Sequence, residues 1–175
     1  MHNLKLWSPT DLNNNLNKLI NSLNHKLSIN NYEELHEWSI KNKSDFWNEI
    51  WNFTKVIGIK KGKIFKDENN FIKSKFFESS KLNYTENCLL KNDNSEAIIS
   101  YFENKKRKAY SWKRLRKDVF KVSYFFKSIN IKEGDRIAAI LPNFAETVVS
   151  FLASAQIGAI WSSCSPDFGK QAIID

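Results

Sequence analysis

Apolar residues recur at helical spacing in three segments near the start of the chain. The first stripe follows Ser8-Pro9-Thr10-Asp11, where a serine cap, an early proline and an early carboxylate predict a helix start. Two shorter helices are predicted over residues 32–40 and 44–54, with Ser44 as the cap of the second. Packing on its own domain is favoured over a dimer face for the first stripe. The third helix carries aromatic positions typical of a core: Phe46, Trp47, Trp51 and Phe53.

The middle of the chain alternates turn signals with short apolar runs. Residues 58–75 have no clear period and are predicted to be a linker. Residues 82–87 are predicted to form a packed turn whose polar side chains bond to the backbone. Two paired strands are predicted over residues 97–102 and 109–112, joined by a basic turn at residues 105–108. A helix is predicted from Ser111 to about Asn130.

Residues 135–169 carry the strongest pattern. An apolar run over residues 135–141 predicts a buried strand. Asn143 and Glu146 form a capping-box pattern before a helical apolar stripe, and Gly158 stands where a helix ends. A second strand is predicted from Ala159. The order strand, helix, strand predicts a parallel α/β unit, so the expected fold class is α/β with a helical amino-terminal extension.

Composition indicates a globular protein. The 175 residues are 42% hydrophobic and 26% charged, with 13 Phe and 6 Trp, which excludes a disordered chain. The net charge of +8 would suit a nucleic-acid partner. However, the 21 asparagines point to AT-rich coding, which raises the lysine content by itself, and the basic run at residues 105–108 suits a hairpin turn. The expectation is therefore no nucleic-acid partner.

The sequence offers few groups for chemistry. Cys88 and Cys164 are too far apart for a metal or redox motif, and both are predicted to be core thiols. The three histidines show no ligand spacing. No signal-peptide pattern and no uninterrupted apolar span occurs, so the cytoplasm is expected and a membrane is not. The five glycines are too scattered to form a phosphate loop.

Three segments resemble one family. They are LWSPT (residues 6–10), FFESSKLNYTENCLL (residues 76–90) and GAIWSSCSPDFG (residues 158–169). In this order they are similar to the opening of the adenylate-forming acyl-CoA synthetases, and the last is closest in character to the acetoacetyl-CoA synthetases. The resemblance implies a synthetase amino-terminal region over residues 1–75 and the start of an adenylating domain over residues 76–175.

The activity that the resemblance implies belongs to a longer protein. It is the ATP-dependent conversion of acetoacetate and CoA into acetoacetyl-CoA, AMP and pyrophosphate, with Mg²⁺ accompanying ATP. The family's catalytic residues lie beyond the matching segments, so the chain is expected to be inactive without the remainder of its own polypeptide. The alternatives are a ligase for another short acid, such as acetate or propionate, and a non-catalytic interaction module.

One ligand contact is implied within the chain. In the family, the turn after the second strand lies against the nucleotide end of CoA, and it corresponds to Ser165, Pro166 and Asp167 here. This sequence departs from the family's glycine-rich turn, because proline donates no N–H and an aspartate repels phosphate. The alternative is a turn in which Ser165 or Asp167 caps the next helix.

Overall fold

The computed structural model describes residues 13–66, 70 and 72–174. These residues form two compact units. The first contains the described residues up to Val56 and those of Lys60–Ser80, and the second contains Ile57–Ile59 and the described residues from Lys81 onward. The fold is a mixed α/β arrangement, as predicted.

Three helices build the first unit: α1 (Asn15–Leu27), α2 (Tyr32–Lys41) and α3 (Lys43–Phe53). The first two begin at asparagines, since Asn14 Oδ1 accepts from Asn17 N and Asn31 Oδ1 from Glu34 N, both at 2.9 Å. The predicted helices are therefore confirmed, while the predicted start at residues 8–11 lies outside the described residues. The helices form one core together with Ile29 of the α1–α2 connection: Leu19, Ile20, Leu23, Ile29 and Leu35, with Trp38, Phe46, Ile50 and Phe53 against it.

The predicted cap of the third helix is wrong. α3 already begins at Lys43, so Ser44 lies inside its first turn. Asn42 occupies the cap position and makes no side-chain cap bond. Its backbone N–H donates 2.8 Å to Trp38 O at the end of α2, so α2 and α3 share this residue. That sharing moves the start of α3 one residue earlier than the local sequence predicts.

The segment predicted to be a linker contains very short strands. They are β1 (Gly58–Ile59), β2 (Phe65–Lys66) and β3 (Lys75–Phe76), followed by β4 (Lys81–Leu82). β2 and β3 pair antiparallel in the first unit, and β1 and β4 pair antiparallel in the second. Aromatic rings surround the first pair, with Trp47 5.3 Å from Phe76 and Trp51 4.8 Å from Phe77 between centroids. The aromatic positions of α3 are thus packing residues, as predicted.

The second unit continues with a short helix, a hairpin and a long helix. These are α4 (Tyr84–Cys88), β5 (Glu96–Tyr101), β6 (Arg107–Ser111) and α5 (Trp112–Ser128). The predicted start of α5 at Ser111 is confirmed, and Ser111 caps the helix, because its Oγ accepts from Arg114 N at 3.2 Å. The basic run only partly forms the hairpin turn, since Arg107 and Lys108 belong to β6. Arg107 is paired with Glu96 across the hairpin at 2.5 and 2.7 Å.

A strand–helix–strand arrangement follows α5 in the second unit. β7 (Arg136–Ile140) and β8 (Ile160–Cys164) are parallel neighbours connected through α6 (Ala145–Gln156), and a short α7 (Lys170–Ile174) follows. Gly158 has φ +76°, and Ala159 N donates 3.0 Å to Ser154 O, so the predicted glycine at the end of the helix is confirmed. The core of this unit comprises Leu89, Tyr110, Leu115, Val119, Ala145, Val149, Leu152 and Ala153.

Two predictions for this unit are wrong. Asn143 does not cap α6, because Phe144 occupies the cap position and no side chain makes the cap bond there. β7 is not a buried strand, since exposed and half-buried residues alternate along it and Ile140 is 53% exposed. In the described residues this sheet contains only β7 and β8, so each strand has one neighbour and much of its surface stays open.

The predicted core thiols are half-buried in the structure. Cys88 packs against the core of the second unit, and Cys164 ends β8. Among the described residues, no helix is long and apolar enough to cross a membrane.

Candidate functional site

The predicted CoA contact forms a tight turn directly after β8. Ser165 Oγ donates 2.9 Å to Asp167 Oδ2, and Asp167 N donates 3.3 Å to Ser165 Oγ. Phe168 N closes the turn with a 3.2 Å bond to Ser165 O. The turn lies at the carboxyl end of a parallel strand, which is where ligands of open α/β sheets collect. The chain therefore presents Ser165, Pro166 and Asp167 together at a position suited to a ligand.

The chemistry of the turn does not fit a phosphate group. Pro166 has no N–H, and the N–H groups of Asp167 and Phe168 are already bonded inside the turn. The Asp167 carboxylate would add repulsion. Beside that carboxylate, the turn exposes apolar surface: the Pro166 ring and the Phe168 side chain, half of which is exposed. A flat, uncharged part of a ligand fits this surface better than an anion.

The polar residues around α4 serve the structure, as predicted. Asn87 Nδ2 donates 2.9 Å to Ile57 O, and Asn87 Oδ1 accepts from Ile57 N at 2.8 Å. Thr85 Oγ1 donates 2.6 Å to Leu152 O in α6. Asn83 Oδ1 accepts from Glu86 N at 3.1 Å and caps α4. These side chains satisfy backbone groups, so none of them is a candidate for chemistry.

The sequence did not predict a hydrogen-bonded pair formed by a buried tyrosine and an aspartate, Tyr110 and Asp118. The Tyr110 hydroxyl donates to the Asp118 carboxylate, and the Arg114 guanidinium lies 4.2 Å from the centre of the tyrosine ring. Burial, followed by the bond to Asp118, raises the pKa of Tyr110 to about 12. The pair joins β6 to α5 and makes the tyrosine a hydrogen-bond donor throughout the neutral range. The i, i+4 spacing of Arg114 and Asp118 was the available signal.

A basic groove between α4 and α5 was also missed. Its volume is about 960 Å³. Three lysines of α5 line it, Lys113, Lys117 and Lys121, together with Arg116 of the same helix. The exposed ring of Phe120 completes the α5 wall. The spacing of the lysines at i, i+4 and i+8 was visible in the sequence, but the opposite wall depends on how α4 packs.

The part of the chain that the structure describes contains no candidate metal site. There, no group of three or more His, Cys, Asp or Glu side chains could hold an ion.

The family follows from comparison of the sequence with family models. Residues 86–175 match the model described as AMP-binding enzyme, and residues 32–88 match the model described as Acetyl-coenzyme A synthetase N-terminus. The first match covers more than half of the chain, and the described part of that region contains α5, α6 and the parallel pair β7–β8. The chain belongs to the AMP-binding enzyme family.

Particular relatives give a finer comparison. The chain is 38% identical over 148 residues to an acetoacetyl-coenzyme A synthetase of Rhizobium meliloti (strain 1021), covering 85% of this chain and 23% of that protein. It is 31% identical over 156 residues to a malonamoyl-CoA synthetase of Penicillium aethiopicum, covering 85% of this chain and 22% of that protein. The chain thus spans about a quarter of the length of these curated relatives.

A solved structure supports the fold. The acetoacetyl-CoA synthetase from Streptomyces lividans superposes with a TM-score of 0.84 at 24% identity, covering 93% of this chain and 26% of that one. The architecture of the described residues is therefore that of the corresponding quarter of that protein.

Proposed function

We propose that this chain is the amino-terminal part of an acid–thiol ligase that activates acetoacetate with ATP and transfers it to CoA. The observation that carries this proposal is the 38% identity to an acetoacetyl-coenzyme A synthetase over 85% of the chain. The proposed division places a synthetase amino-terminal region in residues 1–75 and the start of the adenylating domain in residues 76–175. Such a ligase would act in the cytoplasm, whose reducing conditions suit two unpaired cysteines.

The proposed reaction has two balanced steps. A carboxylate oxygen of the acid attacks the α-phosphorus of ATP, and the bond to pyrophosphate breaks, which leaves an acyl-adenylate. The CoA thiolate then attacks the acyl carbon, a thioester forms, and AMP departs. Mg²⁺ would enter bound to ATP, because hard phosphate oxygens are its preferred partners. The proposal gives this chain no catalytic residue and assigns both steps to the complete polypeptide.

The names of the two relatives indicate a chemical feature that their substrate acids share. Acetoacetate and malonamate both carry a carbonyl group one methylene away from the carboxylate, and they differ only in a methyl or an amide end. A short acid with a carbonyl at this position is therefore the proposed substrate class. Acetate and propionate lack this carbonyl, and a pocket that hydrogen-bonds it would reject them.

The proposed contact with CoA involves Ser165, Pro166 and Asp167. Pro166 has no N–H group, and the N–H groups of Asp167 and Phe168 donate to Ser165 within the turn. We therefore propose contact between the apolar surface of Pro166 and the uncharged part of the CoA nucleotide. Binding of the CoA phosphates is assigned to other residues of the complete protein.

The test is an assay of pyrophosphate release. The reading frame is followed past the codon for Asp175, and the complete product is purified and supplied with ATP, CoA and one acid at a time. We expect the highest kcat/KM with acetoacetate, a lower value with malonamate and much lower values with acetate and propionate. The 175-residue chain should release no pyrophosphate under the same conditions.

Two outcomes favour the alternatives. A preference for acetate or propionate would replace acetoacetate by another short acid, for which the match to the Acetyl-coenzyme A synthetase N-terminus is the supporting observation. A stop codon directly after Asp175 would exclude the enzyme and favour a non-catalytic module derived from one.

A further inference from the structure

The groove between α4 and α5 combines positive charge with an exposed aromatic ring. Lys113, Lys117 and Lys121 lie along one face of α5 at intervals of four residues, so they extend over ~12 Å of helix axis. Arg116 stands beside them, and its guanidinium donates to the Leu89 carbonyl at the end of α4. The guanidinium is therefore held in place across the groove.

The charges around the groove are strongly unequal. Four cationic side chains line it, whereas Glu86 of α4 is the one carboxylate among its lining residues in the described chain. Asp118, the one acidic residue of α5, is bonded to Tyr110 and Arg114 and does not line the groove. An elongated row of cations at this spacing suits an elongated anion, and a concave surface with one sign of charge raises the local concentration of such a ligand.

Phe120 supplies the second observation. Its side chain is 64% exposed and lines the groove between Lys117 and Lys121. Exposure of a large apolar ring to water is unfavourable. A flat heteroaromatic base that stacks on the Phe120 ring would cover it. Gln156 also lines the groove, and its amide can hydrogen-bond to polar edges.

The groove is the size of a small-molecule site. At about 960 Å³ it falls within the range of cavities that hold cofactor-sized ligands. We infer that this groove binds a nucleoside polyphosphate, with the phosphate chain along Lys113, Lys117 and Lys121 and the base against Phe120. This inference does not depend on the proposed ligase reaction, because the groove involves α4 and α5 and not the turn after β8.

Calorimetric titration of the 175-residue chain tests the inference. The probes are ATP, inorganic tripolyphosphate and adenosine, at low salt and without divalent metal. ATP should bind more tightly than tripolyphosphate, adenosine should bind weakly, and the affinity for ATP should fall steeply as salt rises. Equal affinity for ATP and tripolyphosphate would overturn the role given to the base.

Charge reversal in the groove gives the decisive comparison. Lys117→Glu with Lys121→Glu should weaken ATP binding by at least about tenfold, because each change removes one charge-assisted contact and adds repulsion. The matched control is Lys127→Glu with Lys132→Glu, which changes the net charge equally at exposed positions outside the groove. ATP affinity that falls equally in both double variants, or in neither, would overturn the assignment to this groove.

A separate variant tests the aromatic contact. Phe120→Ala should weaken ATP binding by at least about fivefold and leave tripolyphosphate binding unchanged. Circular dichroism verifies that each variant keeps its helices, and Lys117→Gln with Lys121→Gln repeats the charge test with milder changes. ATP binding unaffected by Phe120→Ala would contradict stacking of the base on this ring.

Discussion

Thr85 Oγ1 donates a 2.6 Å hydrogen bond to the main-chain carbonyl of Leu152, and Thr85 is only 1% exposed. The bond joins α4 to α6 although the two residues are 67 positions apart. A threonine in a five-residue helix would attract little notice in the sequence. Its burial makes the hydroxyl depend on this one carbonyl for a partner.

Replacement of Thr85 by valine should lower the free energy of unfolding. The change keeps the shape of the side chain and removes the hydroxyl, so the expected loss is about 1 kcal/mol. Urea denaturation followed by circular dichroism measures it. Ser128→Ala is the control, because it removes a hydroxyl that bonds Phe125 O at 2.7 Å on the exposed surface of the same unit. A control variant as destabilised as Thr85→Val would show that burial is not the cause.

Gly158→Ala should destabilise the second unit. Gly158 has φ +76°, and an added Cβ would lie 2.9 Å from Glu133 Cγ, so the substitution brings both backbone strain and a close contact. The expected loss is about 1–2 kcal/mol. Thermal unfolding compares it with Gly169→Ala, where φ is not positive and an added Cβ meets no atom within 4 Å. Equal unfolding temperatures for the two variants would show that alanine at position 158 introduces no backbone strain or close contact.

Alkaline pH should weaken the fold through Tyr110. Its pKa is about 12 in the folded chain and about 10 when unfolded, so between these values the unfolded state binds fewer protons than the folded state. Stability is complete below pH 10 and falls as pH rises toward 12. The tyrosine is 3% exposed, so water screens this effect little. The expected slope is about 1.4 kcal/mol per pH unit between the two values.

Two tyrosine variants check this assignment. In Tyr110→Phe the stability between pH 10 and 12 should fall less steeply than in the parent chain, and the last phase of the tyrosinate absorbance titration should disappear. Tyr84→Phe is the comparison, because the bond to the Cys88 thiol also raises the pKa of Tyr84, although that ring is half exposed. A late phase that survives in Tyr110→Phe would contradict the prediction.

Asp167→Asn should improve the use of CoA by the proposed complete ligase. The amide still accepts a bond from Ser165 Oγ, so the turn is kept while a negative charge is removed. The KM for CoA should fall about two- to threefold with kcat unchanged, as expected for one charge several ångströms from a phosphate. Steady-state kinetics on complete protein measures it. Glu103→Gln removes an exposed charge in the hairpin turn instead, and an equal effect there would argue against CoA near Asp167.

The features that were predictable depend on neighbours in sequence. The start of α5 at Ser111 was predictable, because the serine hydroxyl meets an amide three residues later and such contacts follow from local geometry alone. The parallel pair β7–β8 followed from the order strand, helix, strand. Gly158 was recognisable because few other residues tolerate positive φ at a helix end.

The features that were missed depend on contacts between distant segments. Asn143 has the composition of a cap, but Phe144 takes the position, and its ring lies 5.4 Å from Phe102 in the hairpin. Ile140 has the pattern of a buried residue, yet its burial requires neighbouring strands. The lysines of α5 were visible in the sequence, but Leu89 and Glu86 become the facing wall only when α4 packs beside them. Tertiary packing determines each of these outcomes.

Asn83 stands at the end of one helix and the beginning of another. Its Nδ2 donates to the carbonyls of Ala155 and Gln156 at 3.2 and 3.1 Å, while its Oδ1 caps α4. Only a side chain with both a donor and an acceptor can do this. An aspartate would keep the cap but place a negative charge at the carbonyl end of α6, and a serine would be too short to reach both. The last turn of α6 and the first turn of α4 should therefore fray together, as a single cooperative unit in amide hydrogen exchange.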